Sequence, residues 1–270
     1  MIRNKRGGVK VATAIRGFGL GLVVIGLVAS GAARAAKPLP SVAPSADKAA
    51  ELSRCLQQAE QAPEAALQTA QNWEQHGGGD SARLCQAISR FDRGDYQIAA
   101  QLFEAIATQT KDPIGAAGLW DRAGWAWLQG EQHDKAQQAY NRAVARQPND
   151  PDLLIDRAFA LAAAEKYWDA IDDLTRAATI APQRFEPWLY RAAAQRALGN
   201  FAQARDDIAQ ALKRAPDNAD TLLLYGNLQA ASGDRAEAAA AWRRVIAVSP
   251  NSDNARTATG NLARMAADKE

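Results

Sequence analysis

Four prolines in the C-terminal half of this 270-residue chain follow one another at intervals of 34 residues. Two further series keep the same interval, one made of alanine alone and one of glycine or alanine. The three series are Pro148, Pro182, Pro216 and Pro250; Ala136, Ala170, Ala204 and Ala238; and Gly124, Ala158, Ala192 and Gly226. One interval shared by three series predicts a repeated structural unit, which limits the chain to repeat architectures.

The unit that ends at Pro216 has the pattern of two amphipathic helices joined by a short turn. We expect the first helix over Pro187–Leu198, the turn at Gly199–Asn200 and the second helix over Phe201–Arg214. A small residue in the first helix lets the second helix approach, a turn glycine accepts a positive φ, and the proline cannot continue the second helix. The repeated unit therefore predicts an all-α chain.

The unit resembles the tetratricopeptide repeat (TPR), a helix–turn–helix of 34 residues. In the first clear unit the resemblance rests on Trp120, Gly124, Trp127, Ala136, Tyr140, Ala143 and Pro148. In the later units it rests on Tyr167, Ala170, Ala177 and Pro182, on Trp188, Ala192, Phe201, Ala204, Ala211 and Pro216, and on Gly226, Ala238, Trp242 and Pro250. The resemblance implies an all-α, right-handed superhelical solenoid of antiparallel helix pairs.

The repeat register divides the chain into units. It predicts TPR units at residues 117–150, 151–184, 185–218 and 219–252, preceded at 80–116 by a TPR-like repeat with a three-residue insertion near Lys111–Pro113. We expect residues 47–79 to form a degenerate first helix pair. Residues 253–270 are predicted to form a capping helix and tail that shield the last repeat.

The N-terminal segment has the three-part organisation of a secretory signal. A basic stretch that ends at Arg16 precedes an apolar run, Phe18–Val28, and an Ala-x-Ala cleavage site, Ala33–Ala35. We expect residues 1–35 to be a signal peptide, with an uncleaved inner-membrane anchor as the alternative. Residues 36–46 predict a Pro-rich linker. The expected location is periplasmic or secreted, and contact with the membrane is expected only if residues 1–35 are retained.

The distribution of charge excludes one class of partner. The whole chain has a net charge of +2, and residues 1–35 contain six basic and no acidic residues, so residues 36–270 carry −4. Nucleic-acid binding depends on a basic stripe that neutralises phosphates, and the body of the chain contains none. We therefore expect no nucleic-acid partner.

The two cysteines, Cys55 and Cys85, fall in the first helices of two consecutive units, and the TPR resemblance implies that such helices are neighbours. In an exported protein a disulfide between them is the favoured interpretation. Two buried free thiols are the alternative. A redox-active pair is disfavoured because the C-x-x-C spacing is absent.

Residue types that carry out catalysis are sparse in this sequence. His76 and His133 lie in turns without an adjacent nucleophile, and Gly77–Gly79 is not followed by the Lys of a phosphate-binding loop. The acidic pairs Asp172–Asp173 and Asp206–Asp207 occupy one repeat position and predict a solvated helix face. We expect a protein that is not an enzyme, with no catalytic residues, metal or cofactor; an enzyme with a site in residues 46–80 is the weakest alternative.

The TPR resemblance also implies a binding surface, because first helices of that family line a concave groove that accepts peptides or helices of other proteins. The residues predicted on or near this groove are Leu84, Ile88, Phe91, Trp125, Leu128, Ile155, Phe159, Leu189, Arg196, Leu223 and Asn227. The expected function is a non-catalytic scaffold in the cell envelope whose partner is another protein. A membrane-anchored assembly factor or chaperone for envelope complexes is the alternative, and self-association is left open.

Overall fold

A computed structural model describes residues 46–267, and the signal peptide and most of the Pro-rich linker expected before them lie outside this range. Residues 46–267 form thirteen helices and no strand. The helices are α1 (Ala46–Gln61), α2 (Pro63–Gln75), α3 (Gly79–Asp92), α4 (Tyr96–Gln109), α5 (Pro113–Gln129), α6 (His133–Arg146), α7 (Pro151–Ala163), α8 (Tyr167–Ile180), α9 (Glu186–Ala197), α10 (Phe201–Arg214), α11 (Ala219–Ala231), α12 (Arg235–Val248) and α13 (Asp253–Ala267).

The helices stack as six consecutive pairs closed by α13. Within each pair, and between the second helix of one pair and the first helix of the next, neighbouring helices pack along their length. Buried apolar side chains continue from one pair to the next and form one cluster from α3 to α8 and further clusters from α9 toward α13. The all-α helical repeat solenoid expected from the sequence is confirmed.

Short turns reverse the chain inside each pair. In three of the turns the residue with positive φ is glycine: Gly94 (φ 86°), Gly199 (φ 77°) and Gly233 (φ 86°). In two further turns it is Glu131 (φ 58°) and Glu165 (φ 59°). A side chain with a Cβ is disfavoured in this left-handed region, so packing of the helices on either side holds these two glutamates there.

The turns between pairs explain the longer spacing near the start of the repeats. The expected insertion at Lys111–Pro113 does not lengthen the loop, which is Thr110–Asp112 and is one residue shorter than the Gln147–Asp150 loop of the next unit. Instead α5 has 17 residues where α7 has 13. Asp112 caps this extended helix by accepting a hydrogen bond from the backbone N–H of Gly115 at 2.7 Å. The additional residues therefore form about one more helical turn.

The small-residue series lies where the two helices of a pair approach most closely. A Cβ built on Gly124 would lie 2.8 Å from the ring of Tyr140, and one built on Gly226 would lie 2.6 Å from the ring of Trp242. Distances this short leave no room for a methyl group. These two glycines are therefore required by the aromatic residue on the facing helix, which agrees with the close approach expected from the sequence.

The acidic pairs are not a solvated face throughout. Asp172 and Asp206 are exposed, whereas Asp173 and Asp207 have relative exposures of only 4% and 5%. Arg157 donates to Asp173 from Nε and Nη2, both at 2.6 Å, and Arg191 donates to Asp207 from Nε at 2.9 Å and Nη2 at 2.6 Å. The expectation of a solvated face was wrong for the second residue of each pair, because a first-helix arginine neutralises each buried carboxylate.

The third nitrogen of each arginine reaches the preceding pair. Arg157 Nη1 donates to Asn141 Oδ1 at 3.1 Å, and Arg191 Nη1 donates to Thr175 Oγ1 at 2.9 Å. Each guanidinium therefore joins three helices, namely its own, the second helix of its pair and the second helix of the pair before. A planar guanidinium donates hydrogen bonds in fixed directions. These contacts therefore fix the register between consecutive pairs.

Replacing Asp207 with Ala is expected to lower the free energy of unfolding by about 3 kcal/mol, because Arg191 then stays partly buried without its carboxylate. Asp206→Ala is the matched control, since it removes an exposed carboxylate one residue away and is expected to change stability by less than about 0.5 kcal/mol. Urea unfolding followed by circular dichroism measures both. Equal losses for the two variants would contradict the assignment.

Candidate functional site

The N-terminal helix pair is held by a covalent bond. Cys55 of α1 and Cys85 of α3 form a disulfide with a Cα–Cα distance of 6.2 Å. Both residues are buried, and Leu52 and Ala70 pack around them. The bond therefore ties the first helix of the degenerate pair to the first helix of the following unit.

First helices lie closer together than second helices do. α5 contacts α7, α11 contacts α13 and α1 contacts α3, whereas no two second helices in residues 46–267 pack to a comparable extent. In a curved stack of helix pairs, the row with the shorter spacing lies on the inside of the curve. The concave side is therefore lined by α1, α3, α5, α7, α9, α11 and α13.

Four residues predicted on this groove are buried inside the stack. Leu84 and Leu189 have relative exposures of 0% and 1%, and Ile155 and Leu128 have 5% and 6%. Each belongs to the apolar clusters that join neighbouring helices. Their placement on an accessible groove is corrected, because close spacing of the inner helices covers these aliphatic side chains and leaves them a packing role.

The other predicted residues keep part of their surface accessible. Ile88, Phe91, Trp125, Phe159, Arg196, Leu223 and Asn227 are all half-buried. The structure adds Tyr190, whose ring meets that of Phe159 edge to face with centroids 4.6 Å apart. Sequence reasoning missed Tyr190 because it lies one position after Leu189, outside the helical spacing used to place the groove. We call these eight residues the inner strip.

The aromatic residues of the inner strip have restricted orientations. Phe91 contacts Tyr96 edge to face with a centroid distance of 5.2 Å, and Phe159 contacts Tyr190 across the α7–α9 junction. Edge-to-face packing stabilises such pairs beyond the effect of area alone. A partner that contacts these rings meets preoriented apolar surface, which reduces the entropy lost on binding.

The polar residues of the inner strip lie toward its C-terminal end. Burial lowers the pKa of the Arg196 guanidinium below its usual range, because its charge is partly removed from water. Its Nε is enclosed by protein and has no hydrogen-bond acceptor among residues 46–267. Asn227 is anchored by its Oδ1, which accepts from Trp242 Nε1 at 3.1 Å and Asn261 Nδ2 at 3.0 Å.

Two carboxyl groups, those of Glu60 and Asp92, lie near each other where α1 and α3 end. Asp92, the last residue of α3, is exposed as a residue, yet desolvation of its carboxyl group and the nearby charge of Glu60 raise its pKa to about 6. A carboxylate at a helix C-terminus also faces the negative end of the helix dipole.

A second concavity lies between the second helices α4 and α6, with a volume of about 430 Å³. The indole of Trp120 lines it, and the Arg142 guanidinium lies 4.6 Å from the centre of that ring. Its other walls are largely polar, formed by Gln101, Glu104, Ala105, Thr108, Gln138 and Ala139. The inner strip is therefore better suited than this cleft to an apolar segment.

The described residues contain neither a cluster of metal-binding side chains nor a membrane-spanning helix. In residues 46–267, no three or more His, Cys, Asp or Glu side chains come together as a group that could hold a metal ion. His76, directly after α2, has its Nδ1 2.8 Å from the backbone oxygen of Asn72 in that helix, and His133 is half-buried at the start of α6. No helix between Ala46 and Ala267 combines the length and apolar character needed to cross a bilayer.

Comparison with known proteins agrees with the observed repeats. Models of the tetratricopeptide repeat match residues 120–150 and 196–262. No curated protein matches the chain significantly in sequence. Together with the helix pairs described above, these matches support a protein built from tetratricopeptide repeats.

Solved structures share the fold at low sequence identity. A thermophilic TPR protein from Thermus thermophilus is 19% identical, with a TM-score of 0.56 over 68% of this chain and 100% of its own. MamA from Desulfovibrio magneticus is 19% identical, with a TM-score of 0.54 over 63% of this chain and 93% of its own. YrrB, described as a TPR protein with an unusual peptide-binding site, is 17% identical, with a TM-score of 0.51 over 70% and 96%.

The raised pKa of Asp92 predicts a local dependence of stability on pH. A carboxyl group whose folded-state pKa of about 6 exceeds its unfolded value of about 4 favours the folded state most at low pH, and this contribution is lost as the pH rises through 6. Asp92→Asn is therefore expected to be more stable than the wild type at pH 7.5, by about 1 kcal/mol once the exposure of Asp92 is allowed for, and equal to it at pH 4.

The measurement is urea unfolding across this pH range, with Asp206→Asn as the exposed control. A difference between wild type and Asp92→Asn that stays constant from pH 4 to 7.5 would show that the Asp92 carboxyl group is not the source of the effect.

Proposed function

We propose that this chain is a non-catalytic protein-interaction scaffold that binds a peptide or helical segment of another protein along the inner strip. The observation that carries the proposal is the row of half-buried apolar and aromatic side chains on consecutive first helices, Ile88, Phe91, Trp125, Phe159, Tyr190 and Leu223. Aromatic residues on rigid elements are frequent hot spots of binding energy. A continuous row of them suits an extended or helical segment better than a small ligand.

The fold supports this proposal in two ways. YrrB shares the architecture and is described by its peptide-binding site, so a solenoid of this kind accommodates a peptide. Interlocked helix pairs also present the inner strip without a large rearrangement, because the pairs are joined by a continuous apolar core and by the buried arginine–aspartate contacts. Binding to a preformed surface loses less conformational entropy than binding to a mobile one.

The central experiment removes two aromatic side chains of the inner strip. Trp125→Ala/Phe159→Ala is expected to lose crosslinked partners from envelope extracts that the wild type retains, because both rings supply apolar contact area. Trp168→Ala is the control: this tryptophan is 63% exposed but lies on the second helix α8. Unchanged helicity of all three proteins, measured by circular dichroism, shows that the losses reflect binding.

The result of this comparison separates the two faces of the solenoid. Retention of the same partners by the double variant, or their loss from Trp168→Ala alone, would place the binding site on the second-helix side and reject the proposal. Loss from the double variant alone supports it.

The proposed location is outside the cytoplasm, in the cell envelope. The disulfide between Cys55 and Cys85 supports this, because such bonds persist in oxidising compartments. The signal-like organisation of residues 1–35 agrees with export. The alternative is an assembly factor or chaperone anchored by those residues. An enzyme with a site in residues 46–80 has no specific observation in its favour.

The intact mass of the chain recovered from cells distinguishes a cleaved signal from an anchor. We expect a mass that corresponds to a chain starting at Ala36, found in the soluble envelope fraction, because the Ala33–Ala35 site follows a short apolar run. A full-length mass in the membrane fraction would instead establish the anchored form. Recovery of the unprocessed chain from the cytoplasm would reject export.

A further inference from the structure

Arg196 is the member of the inner strip that helix packing leaves unexplained. It lies in the last turn of α9, is half-buried, and has an enclosed Nε without an acceptor in the described part of the chain. Two other arginines of first helices, Arg157 and Arg191, each bind a buried aspartate through two nitrogens. The charge of Arg196 is thus partly buried without a carboxylate partner in the described residues, which is unfavourable, and an anion bound to the rest of the guanidinium would offset that cost.

The neighbouring polar group also offers donors. Asn227 lies on the next first helix, α11, and its Oδ1 already accepts two hydrogen bonds, from Trp242 and Asn261. Its Nδ2 has no acceptor within residues 46–267, so its two N–H groups can donate hydrogen bonds to a bound ligand. The C-terminal end of the inner strip is therefore rich in donors.

At the other end of the solenoid, the carboxyl groups of Glu60 and Asp92 lie near each other where α1 and α3 end. These groups repel an anion and so favour its placement at the α9 end. The strip also continues past Arg196 to Leu223 on α11. A bound chain that uses the whole strip therefore passes Arg196 and does not end there.

Resting on the proposed function, we infer that Arg196 binds the side-chain carboxylate of an Asp or Glu within the partner segment, while apolar residues on either side of that acid contact Tyr190 and Leu223. A guanidinium offers a carboxylate two parallel donors, which gives direction as well as affinity. The partner is thus an acidic–apolar segment of another protein. It lies along the inner strip with its acidic residue at α9 and its uncharged part over Phe159 and Trp125.

Selection from a phage-displayed library of random twelve-residue peptides tests this inference. The bait is the chain purified from the envelope fraction, as wild type, as Arg196→Gln, as Arg205→Gln and as the Trp125→Ala/Phe159→Ala variant. Arg205 is an exposed arginine of the second helix α10 and provides the matched control. We expect wild type and Arg205→Gln to enrich peptides with one Asp or Glu beside apolar residues, and Arg196→Gln to lose the acidic preference while keeping the apolar one.

Synthetic copies of an enriched peptide give the quantitative test on the unaltered protein. Replacing the acid with Gln is expected to weaken binding to the wild type about tenfold or more, and to leave binding to Arg196→Gln nearly unchanged, because a charge-assisted pair contributes only when both partners are present. Amidation of the peptide C-terminus is expected to have no effect, which separates a side-chain carboxylate from a terminal one.

The outcomes distinguish this inference from the proposed function. Peptides that need Phe159 and Trp125 but show no acidic preference would overturn the role of Arg196 and leave the scaffold in place. An equal effect of the peptide substitution on wild type and Arg196→Gln would do the same, as would dependence on the terminal carboxylate. Failure to enrich any peptide that depends on Phe159 and Trp125 would overturn both.

Discussion

The close approach of the two helices in each pair is the constraint on which the solenoid depends. It is met by residues 16 apart, one on each helix: Gly124 with Tyr140 and Gly226 with Trp242 combine the smallest residue with a ring, while Ala158 with Leu174 and Ala192 with Ile208 combine alanine with an aliphatic side chain. The smallest residue thus faces a ring and alanine faces a smaller side chain, so the volumes compensate each other from pair to pair. Regular pair geometry in turn places the first helices in one row and creates the inner strip.

A second recurring combination of residue types occurs at positions 26 residues apart. Trp120 and Trp188 carry the guanidinium of Arg146 and Arg214 over their rings, at 5.8 and 4.7 Å, whereas Leu154 and Leu222 occur with Ile180 and Val248. Tryptophan attracts a cation, whereas Ile180 and Val248 are exposed aliphatic side chains. Consecutive units thus alternate between two combinations of residue types at these positions.

The sequence predicts those features that recur at a fixed interval. The interval predicted the helix pairs, and Phe201–Arg214 is reproduced to the residue as α10. What it could not separate is burial within one face, because that depends on how closely neighbouring pairs stack. Leu84 and Phe91 share one helix face, yet only Phe91 keeps accessible surface. For the same reason the burial of Asp207 was not predicted, because its neighbour Asp206 is equally acidic. Only the hydrogen bond from Arg191, 16 residues earlier, distinguishes the buried carboxylate.

The two ends of the stack show how a repeat protein closes where the pattern weakens. At the N-terminus the degenerate pair buries few large side chains around Cys55 and Cys85, so the disulfide supplies what apolar packing does not; closing a loop of this length stabilises by about 3–4 kcal/mol. At the C-terminus α13 buries only Ala255 and Ala258, and Asn254 and Asn261 bind Asp220 and Asn227 of α11. The inner strip thus lies between a disulfide at one end of the stack and side-chain hydrogen bonds of α13 at the other. These contacts hold both ends in place without a larger apolar core.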